Sequence, residues 1–498
     1  MDARTQWALG LALPQQPMRA LGHEFYTELA PQGVPQPTLR LVSDDAARLL
    51  GLQPPRDAAA RAEWAEVFAG NRADPDCPAL ATVYAGHQFG NWAGQLGDGR
   101  AHLLGSFAAP DAAQNAGHAD WDVQLKGSGR TPYARFGDGR AVLRSSLREF
   151  LCSEAMWHLG IPTTRALCLV DSPLAVQRER VERAAIVTRL APSFVRVGHF
   201  EHFAHSGQHD ALRRLLQWWI ARFEPDCADA DDPALALLQR VVQRSAELVA
   251  AWQAVGFVHG VLNTDNLSML GWTLDYGPFG FVDAFDPDYT PNTSDRDGRY
   301  SWRNQPAAVH WDLHALAAAL RPLLDADAAR VRAVLDGFGD AFERAWRQRI
   351  AARLGMARPQ PGDDALARAW IELLHRARAD WTLSFRLLAR AAEGPVPDAL
   401  RAQFASCAPE FDAWLQRWRA RQHAGGDGPD AMDRVNPRIV LRHHLAQHAI
   451  AAAESGDFAP AQALLDALRT PFADNQAHAA FAAPPPADAP PAALSCSS

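Results

Sequence analysis

Apolar and polar positions follow three regimes along the chain. In residues 1 to about 70 the apolar residues come in short groups, interrupted by Pro14, Pro17, Pro31, Pro35 and Pro37; this predicts loops and short helices, one of them over residues 44–52. From about residue 80 short apolar or alternating runs are divided by Gly-rich segments. Residues 81–84, 101–107, 121–126, 166–170, 174–177 and 184–188 read as strands. Within this region residues 141–158 place Leu143, Leu147, Phe150, Leu151 and Met156 mostly at helical spacing and predict one helix. From Gln208 onward the period is helical. Leu212, Leu215, Leu216, Trp219, Ile220 and Phe223 share a face, and further helices are predicted over residues 235–252, 311–324, 328–354, 366–392 and 398–422, with a last one through Ala453. Residues 286–306 form a long polar stretch, and the Ala/Pro-rich tail from about Ala479 predicts disorder. The expected class is α+β, with the strands first and the helices after.

Size and charge narrow this picture. A chain of 498 residues has room for about three domains, and 48% hydrophobic with 21% charged residues is ordinary for a globular protein. A net charge of −8 and a pI near 6.1 argue against a nucleic-acid partner, although a local basic pocket can still hold phosphates. There is no apolar run of the ~18 residues a membrane span needs, and the first residues lack a basic segment followed by an apolar core. No membrane association is expected, and the expected location is cytoplasmic. The cysteines, at 77, 152, 168, 227, 407 and 496, form no CxxC and suggest neither a disulfide framework nor a zinc site.

The densest chemistry lies in His259-Gly260-Val261-Leu262-Asn263-Thr264-Asp265-Asn266, followed shortly by Asp275-Tyr276-Gly277. A loop, a short hairpin and a second loop would bring Asn266 and Asp275 together. One amide oxygen and one carboxylate make a site for a magnesium ion that also holds nucleotide phosphates. Protein kinases space a catalytic loop, H-R-D-x-x-x-x-N, and D-F-G in this way. On that template His259, Asn266 and Asp275 fall on the His, the metal Asn and the metal Asp, but the base position holds Val261, which cannot accept a proton. Either the chain is inactive or another carboxylate serves, and Asp265 is the adjacent one. Upstream, a strand ending at Lys126 and a helix carrying Glu149 repeat the kinase arrangement of a phosphate-gripping lysine fixed by a glutamate. Gly-rich loops at residues 94–100 and 127–140 would let backbone amides approach phosphates, and Arg100, Arg189 and Arg196 add charge. Taken singly, an Asp-Asn turn, a Lys/Glu pair or a surface arginine is commonplace; the combination is what points to a nucleotide.

These stretches resemble the selenoprotein O family of kinase-like proteins, in its bacterial cysteine-containing form. The resemblance runs from about Tyr84 to the last residues, through Gly86-His87-Gln88-Phe89-Gly90, residues 95–100, Gln124-Leu125-Lys126-Gly127-Ser128-Gly129, residues 259–266 and Asp275-Tyr276-Gly277-Pro278-Phe279-Gly280. It implies a protein-kinase-like two-lobed (pseudokinase) fold: an N-terminal extension over residues 1–75, a β-rich N-lobe over 76–200, a helical C-lobe over 201–400, a helical region over 401–478 and a tail over 479–498. It implies an enzyme that transfers AMP from ATP to protein hydroxyl groups, with the nucleotide reversed in the cleft relative to kinases. Gly97, Gly99, Arg100, Lys126, Asp138, Gly139, Arg189, Arg196 and Asp275 would bind ATP, and Glu149 would orient Lys126. Asp265 would accept the proton, and Asn266 and Asp275 would hold Mg2+ or Mn2+. The implied partners are proteins with hydroxyl side chains, redox-related ones among them, and the chain itself. Transfer of UMP from UTP with manganese, ordinary phosphotransfer and a non-catalytic nucleotide-binding scaffold are the alternatives. Cys496 matches the family's C-terminal selenocysteine or cysteine. Relatives that use it as a latch pair it with a cysteine in the activation loop, whereas residues 289–295 have none and Pro291 stands there, which leaves Cys496 as a candidate redox thiol without an internal partner.

Overall fold

The computed structural model describes residues 7–12, 14–72, 74, 76–110, 118–486, 489 and 494–495. Nine strands among them form one antiparallel sheet: β1 (Tyr26–Glu28), β2 (Thr38–Val42), β3 (Leu80–Gln88), β4 (Asn91–Gly97), β5 (Ala101–Ala108), β6 (Asp120–Lys126), β7 (Ala141–Val142), β8 (Arg165–Gln177) and β9 (Val181–Ala191). Their order is β1-β3-β5-β6-β9-β8-β2, with β4 on β3 and β7 on β9. The β6–β9 register sets Gln124 opposite Arg189 and Lys126 opposite Val187. Side chains alternate between faces along a strand, so Gln124, Lys126 and Arg189 share one face.

Two helices, α1 (Asp44–Leu49) and α2 (Ala58–Phe68), follow β2 in sequence, each opened by a side-chain cap, Ser43 and Asp57 respectively. α1 lies in the short helix expected over residues 44–52, whereas the strands β1 and β2 depart from the loops and short helices expected of the first 70 residues. Thr38-Leu39-Arg40-Leu41-Val42 alternates out and in, and β2 pairs with β8 at the sheet edge. Helix α3 (Leu143–His158) packs on β8 and β9 and brings Glu149 over the Lys126 face.

The helical part follows: α4 (Val197–His205), α5 (His209–Phe223) and α6 (Pro233–Ala254), then a short hairpin of β10 (Phe257–Val258) and β11 (Gly280–Phe281), then α7 (Gln305–Leu320) and α8 (Ala328–Arg353). α6 opens with an Asp232 cap and Pro233 in its first turn, and packs along α7 and α8. Two of the predicted long helices are each divided. Asp363–Ala377 stops at Arg378, whose φ is +50°, and Asp380 caps a new helix, Trp381–Leu388; Asp398–Gln403 and Ala408–His423 are likewise separate, with Pro409 in the first turn of the second. The last helices, His443–Glu454 and Ala459–Leu468, turn back to pack on α3.

The described residues of the tail differ from the disorder expected from about Ala479. A 3-10 helix, Gln476–Ala482, runs past Ala479, and buried Leu494 bridges Asn292 in parallel, its carbonyl accepting from Thr293 N–H at 2.8 Å. Among the described residues, no helix is long and apolar enough to cross a membrane.

Candidate active site

The site forms where the β10–β11 connection meets the sheet. After β10 the chain runs through His259 and a 3-10 turn, Thr264–Asn266; Leu267 then bridges Thr273, which returns the chain to Asp275. The hairpin between Asn266 and Asp275 is thus present. His259 is buried and held neutral: burial lowers its pKa to about 4. Its ring Nδ1 accepts from Val261 N–H at 3.4 Å, which makes it a brace of the loop.

Asp275 lies in a cage of cations. One carboxylate oxygen accepts from Lys126 Nζ at 2.7 Å and from Arg189; the other accepts from Arg196 at 2.6 Å. Glu149 on α3 pairs with the same Lys126 at 2.7 Å and with Arg189 at 3.2 Å. Burial by itself would raise the Asp275 carboxyl, but Lys126, Arg189 and Arg196 overrule it and hold it well below the usual range. Arg189 and Arg196 are themselves almost wholly buried. Arginines kept charged inside a protein need partners of this kind.

Asp265 stands differently. Its backbone carbonyl accepts from Arg196 at 2.7 Å, and its Oδ2 accepts from Gln88 Nε2 at 3.2 Å. Its Oδ1 is buried with no hydrogen-bond partner among the described residues. Burial raises this carboxyl to about 6, with the Gln88 hydrogen bond and the Arg196 charge pulling against it. A carboxylate poised near neutrality with an unpartnered oxygen is suited to take a proton.

Of the first Gly-rich segment, expected as a loop over residues 94–100, residues 94–97 belong to β4 and only the turn from β4 into β5 remains; that turn meets the second Gly-rich loop above these groups. Asp98 is buried, accepts from Thr82 N–H at 3.0 Å and from the Thr82 hydroxyl at 2.6 Å, and its carbonyl takes the Thr131 hydroxyl at 2.8 Å. The glycines here are set by close approach of backbone. A Cβ on Gly97 (φ +149°) would stand 2.5 Å from the Tyr133 ring, and one on Gly139 (φ +72°) 2.2 Å from Arg130 N.

All of this encloses one cavity of about 550 Å3. Every described residue expected to bind the nucleotide or metal, orient Lys126 or accept the proton lines it: Gly97, Gly99, Arg100, Lys126, Asp138, Gly139, Glu149, Arg189, Arg196, Asp265, Asn266 and Asp275, along with His259 and Val261. Cys496 lies outside the described residues. Asp138 is at the exposed rim and is forked by Arg178 at 2.8 and 2.9 Å. Arg178 and Gln88 are wall residues that the sequence reading missed. Gln88 had a signal, since it sits in the quoted residues 86–90; β3 runs on to Gln88 where only residues 81–84 were expected to be extended. Arg178 had none, because an arginine in a β-hairpin turn is commonplace.

A family model described as "Protein adenylyltransferase SelO" matches residues 12–469. The chain belongs to the SelO family. It is accordingly an enzyme of the nucleotidyltransferase type. Among its relatives, "Protein nucleotidyltransferase YdiU" of Burkholderia multivorans is 50% identical, the match covering 96% of this chain and 94% of that protein. The proteins of the same description from Paraburkholderia xenovorans and Bordetella petrii are each 49% identical, covering 97% and 96% of this chain and 95% and 97% of theirs. A SelO-family enzyme acts on a nucleotide polyphosphate, which calls for a divalent cation. The residues present fit one: Asn266 donates its Nδ2 to the Val261 carbonyl at 3.2 Å, which leaves its Oδ1 for a cation, and Asp275 lines the same cavity.

Proposed function

We propose that the protein transfers AMP from ATP to hydroxyl side chains of proteins and releases pyrophosphate. The observation that carries this reading is the division of the cavity: Lys126, Arg189 and Arg196 converge on Asp275, while Asp265 keeps a buried, unpartnered oxygen. With Val261 in the kinase-base position, Asp265 takes that role. The acceptor oxygen attacks the α-phosphorus, the bond from that phosphorus to the bridging oxygen breaks, pyrophosphate leaves, and the hydroxyl proton goes to Asp265. Three cations against Glu149 and Asp275 leave a net +1. That suits a triphosphate of about four negative charges only with a divalent cation beside it. Mg2+ or Mn2+ on Asn266 and Asp275 would screen phosphate charge; Lys126 and the arginines bind and orient the polyphosphate and stabilise the leaving pyrophosphate.

The sheet, the helical body and the cavity between them fit a protein-kinase-like two-lobed fold. On that reading residues 76–200 are the N-lobe, 201–400 the C-lobe, and the segments before and after are extensions. The acceptors are hydroxyl groups of other proteins and of the chain itself.

The test is incubation with magnesium and ATP labelled on either the α- or the γ-phosphate, followed by detection of label on protein, with Asp265→Ala as control. Label from α alone is expected. Label from γ alone would make the enzyme a kinase and overturn the reading. Transfer of UMP with manganese is the second reading, because the charged groups in the cavity address phosphates and the relatives' description leaves the base open. Parallel turnover with UTP separates the two.

A further inference from the structure

A second group of side chains lies behind the candidate catalytic loop. α4 presents Glu201 and His205, four residues apart and so on one face, toward His87 near the end of β3. One ligand atom from each of His87, Glu201 and His205 lies within 4.8 Å of the others. None of the three lines the nucleotide cavity.

We propose that His87, Glu201 and His205 bind a divalent transition metal of the zinc class, and that this ion braces residues 86–90 against the loop that carries Asp265. Glu201 is fully buried, its Oε1 is 2.5 Å from His87 Nδ1, and its Oε2 has no hydrogen-bond partner among the described residues. A buried carboxylate with an empty oxygen is costly unless a cation satisfies it. A plain His87–Glu201 ion pair accounts for neither that oxygen nor the approach of His205. Asp312, a second buried carboxylate, feels the charge of Glu201 and also has an oxygen without a donor, so the region is short of positive charge; Arg299 is the cation that acts on Asp312.

Two imidazoles and one carboxylate favour zinc, cobalt or nickel over magnesium or calcium, with water as the fourth ligand. Around a tetrahedral zinc, ligands at about 2.0–2.1 Å stand roughly 3.3 Å apart. His87 Nδ1 and Glu201 Oε1 would therefore part by less than ~1 Å, and the proton between them would be released to solvent. The rings already have outer support: Trp92 stacks on His205 at 3.9 Å, and Trp311 meets His87 edge-on at 5.2 Å. The link to the loop is direct, since His87 N–H donates to Thr264 Oγ1 at 2.7 Å and the next residue, Gln88, bonds Asp265.

The test is titration of chelator-stripped, full-length protein with Co2+ under excess Mg2+, read by visible absorption and metal stoichiometry, followed by displacement with Zn2+. One Co2+ per chain with the strong absorption of a four-coordinate site is expected. His205→Ala, which removes an exposed ligand at a helix end, should weaken binding by about 100-fold or more. Its far-UV circular dichroism and melting temperature report whether the variant is folded. Asp275→Ala should leave binding unchanged. Absence of the absorption band, binding that survives His205→Ala, binding lost with Asp275→Ala, or binding abolished by thiol blocking would each overturn the proposal. The outcome does not depend on which nucleotide the enzyme uses.

Discussion

Asp265 and Asp275 are carboxylates ten positions apart in one cavity, and their surroundings drive them in opposite directions. Three cations hold Asp275 ionised, whereas burial holds Asp265 near 6. A base works only when ionised, so turnover should rise with pH through about 6 and then level off. A divalent cation bound beside Asp265 would move that midpoint down, and the negative charge of the bound polyphosphate would move it up. Asp265→Asn keeps the shape and removes the proposed base; its kcat should fall about 10²–10⁴-fold, with the pH step gone. A retained step in that variant would assign it to another group. Gln88 offers a finer test. Its amide donates to the ionised Asp265, so Gln88→Leu should move the step to higher pH, with activity depressed at pH 6 and recovering by pH 8. A loss of equal size at both pH values would mean that Gln88 only shapes the wall.

At the scale of elements, most strands and helices were legible because their apolar periods are long enough to read. The misses have local physical causes. β2 is five residues at the sheet edge in a Pro-rich setting, and its alternation was too short to stand out. β8 was expected as two strands because Asp171-Ser172-Pro173 looks like a turn. The structure instead carries the strand through an irregularity between Asp171 and Ala175, with Asp171 buried between Arg40 and Arg183 at 2.7 Å each. The helix division at Arg378 depends on Asp380, whose value as a cap is secured by Arg442 from far along the chain. Polar residues buried by distant partners leave no periodic trace. Glu154 on α3 is the strongest case. It is fully buried and accepts from Arg165 at 2.7 and 2.8 Å and from the Ser43 hydroxyl at 2.5 Å. Burial pushes its carboxyl up, but Arg165 and these hydrogen bonds bring it below its ordinary value. A depressed carboxylate stabilises the fold above its unfolded pKa of about 4.3, and that contribution is lost as pH falls through the folded value. Glu154→Gln should cost about 3–5 kcal/mol at pH 7 in urea unfolding, because Arg165 is then left buried and unpaired, and the loss should shrink toward low pH. Replacing both residues by Met should cost less than either single change; a double variant worse than both singles would show that the pair is a net stabiliser.

For the whole molecule, the site is a meeting of distant parts: Lys126 from the sheet, Glu149 from α3, Arg189 and Arg196 on either side of the passage to the helices, and Asp275 from the β10–β11 connection. The sequence named these residues one motif at a time; the β6–β9 register and the packing of α3 are what bring each cation within 3.2 Å of Asp275 or Glu149. Asp275 is therefore both a candidate metal ligand and, without metal, the counter-ion that joins the sheet to the loop. Removing it leaves Lys126, Arg189 and Arg196 against Glu149 alone, a net +2 where there was +1. Asp275→Ala should melt at a lower temperature than the parent when no ligand is present, since buried like charges then face each other. Metal-free ATP should restore much of that loss, because the polyphosphate supplies the missing negative charge. For a ligand at about 100 times its Kd, the stabilisation is about 2.7 kcal/mol. Magnesium should add to ATP stabilisation in the parent and not in the variant. Thermal melts of both proteins with ATP, with and without magnesium, read all of these effects at once. If ATP stabilised only the parent, and only with magnesium, the cations would not be the phosphate grip, and Asp275 with its metal would carry nucleotide binding alone.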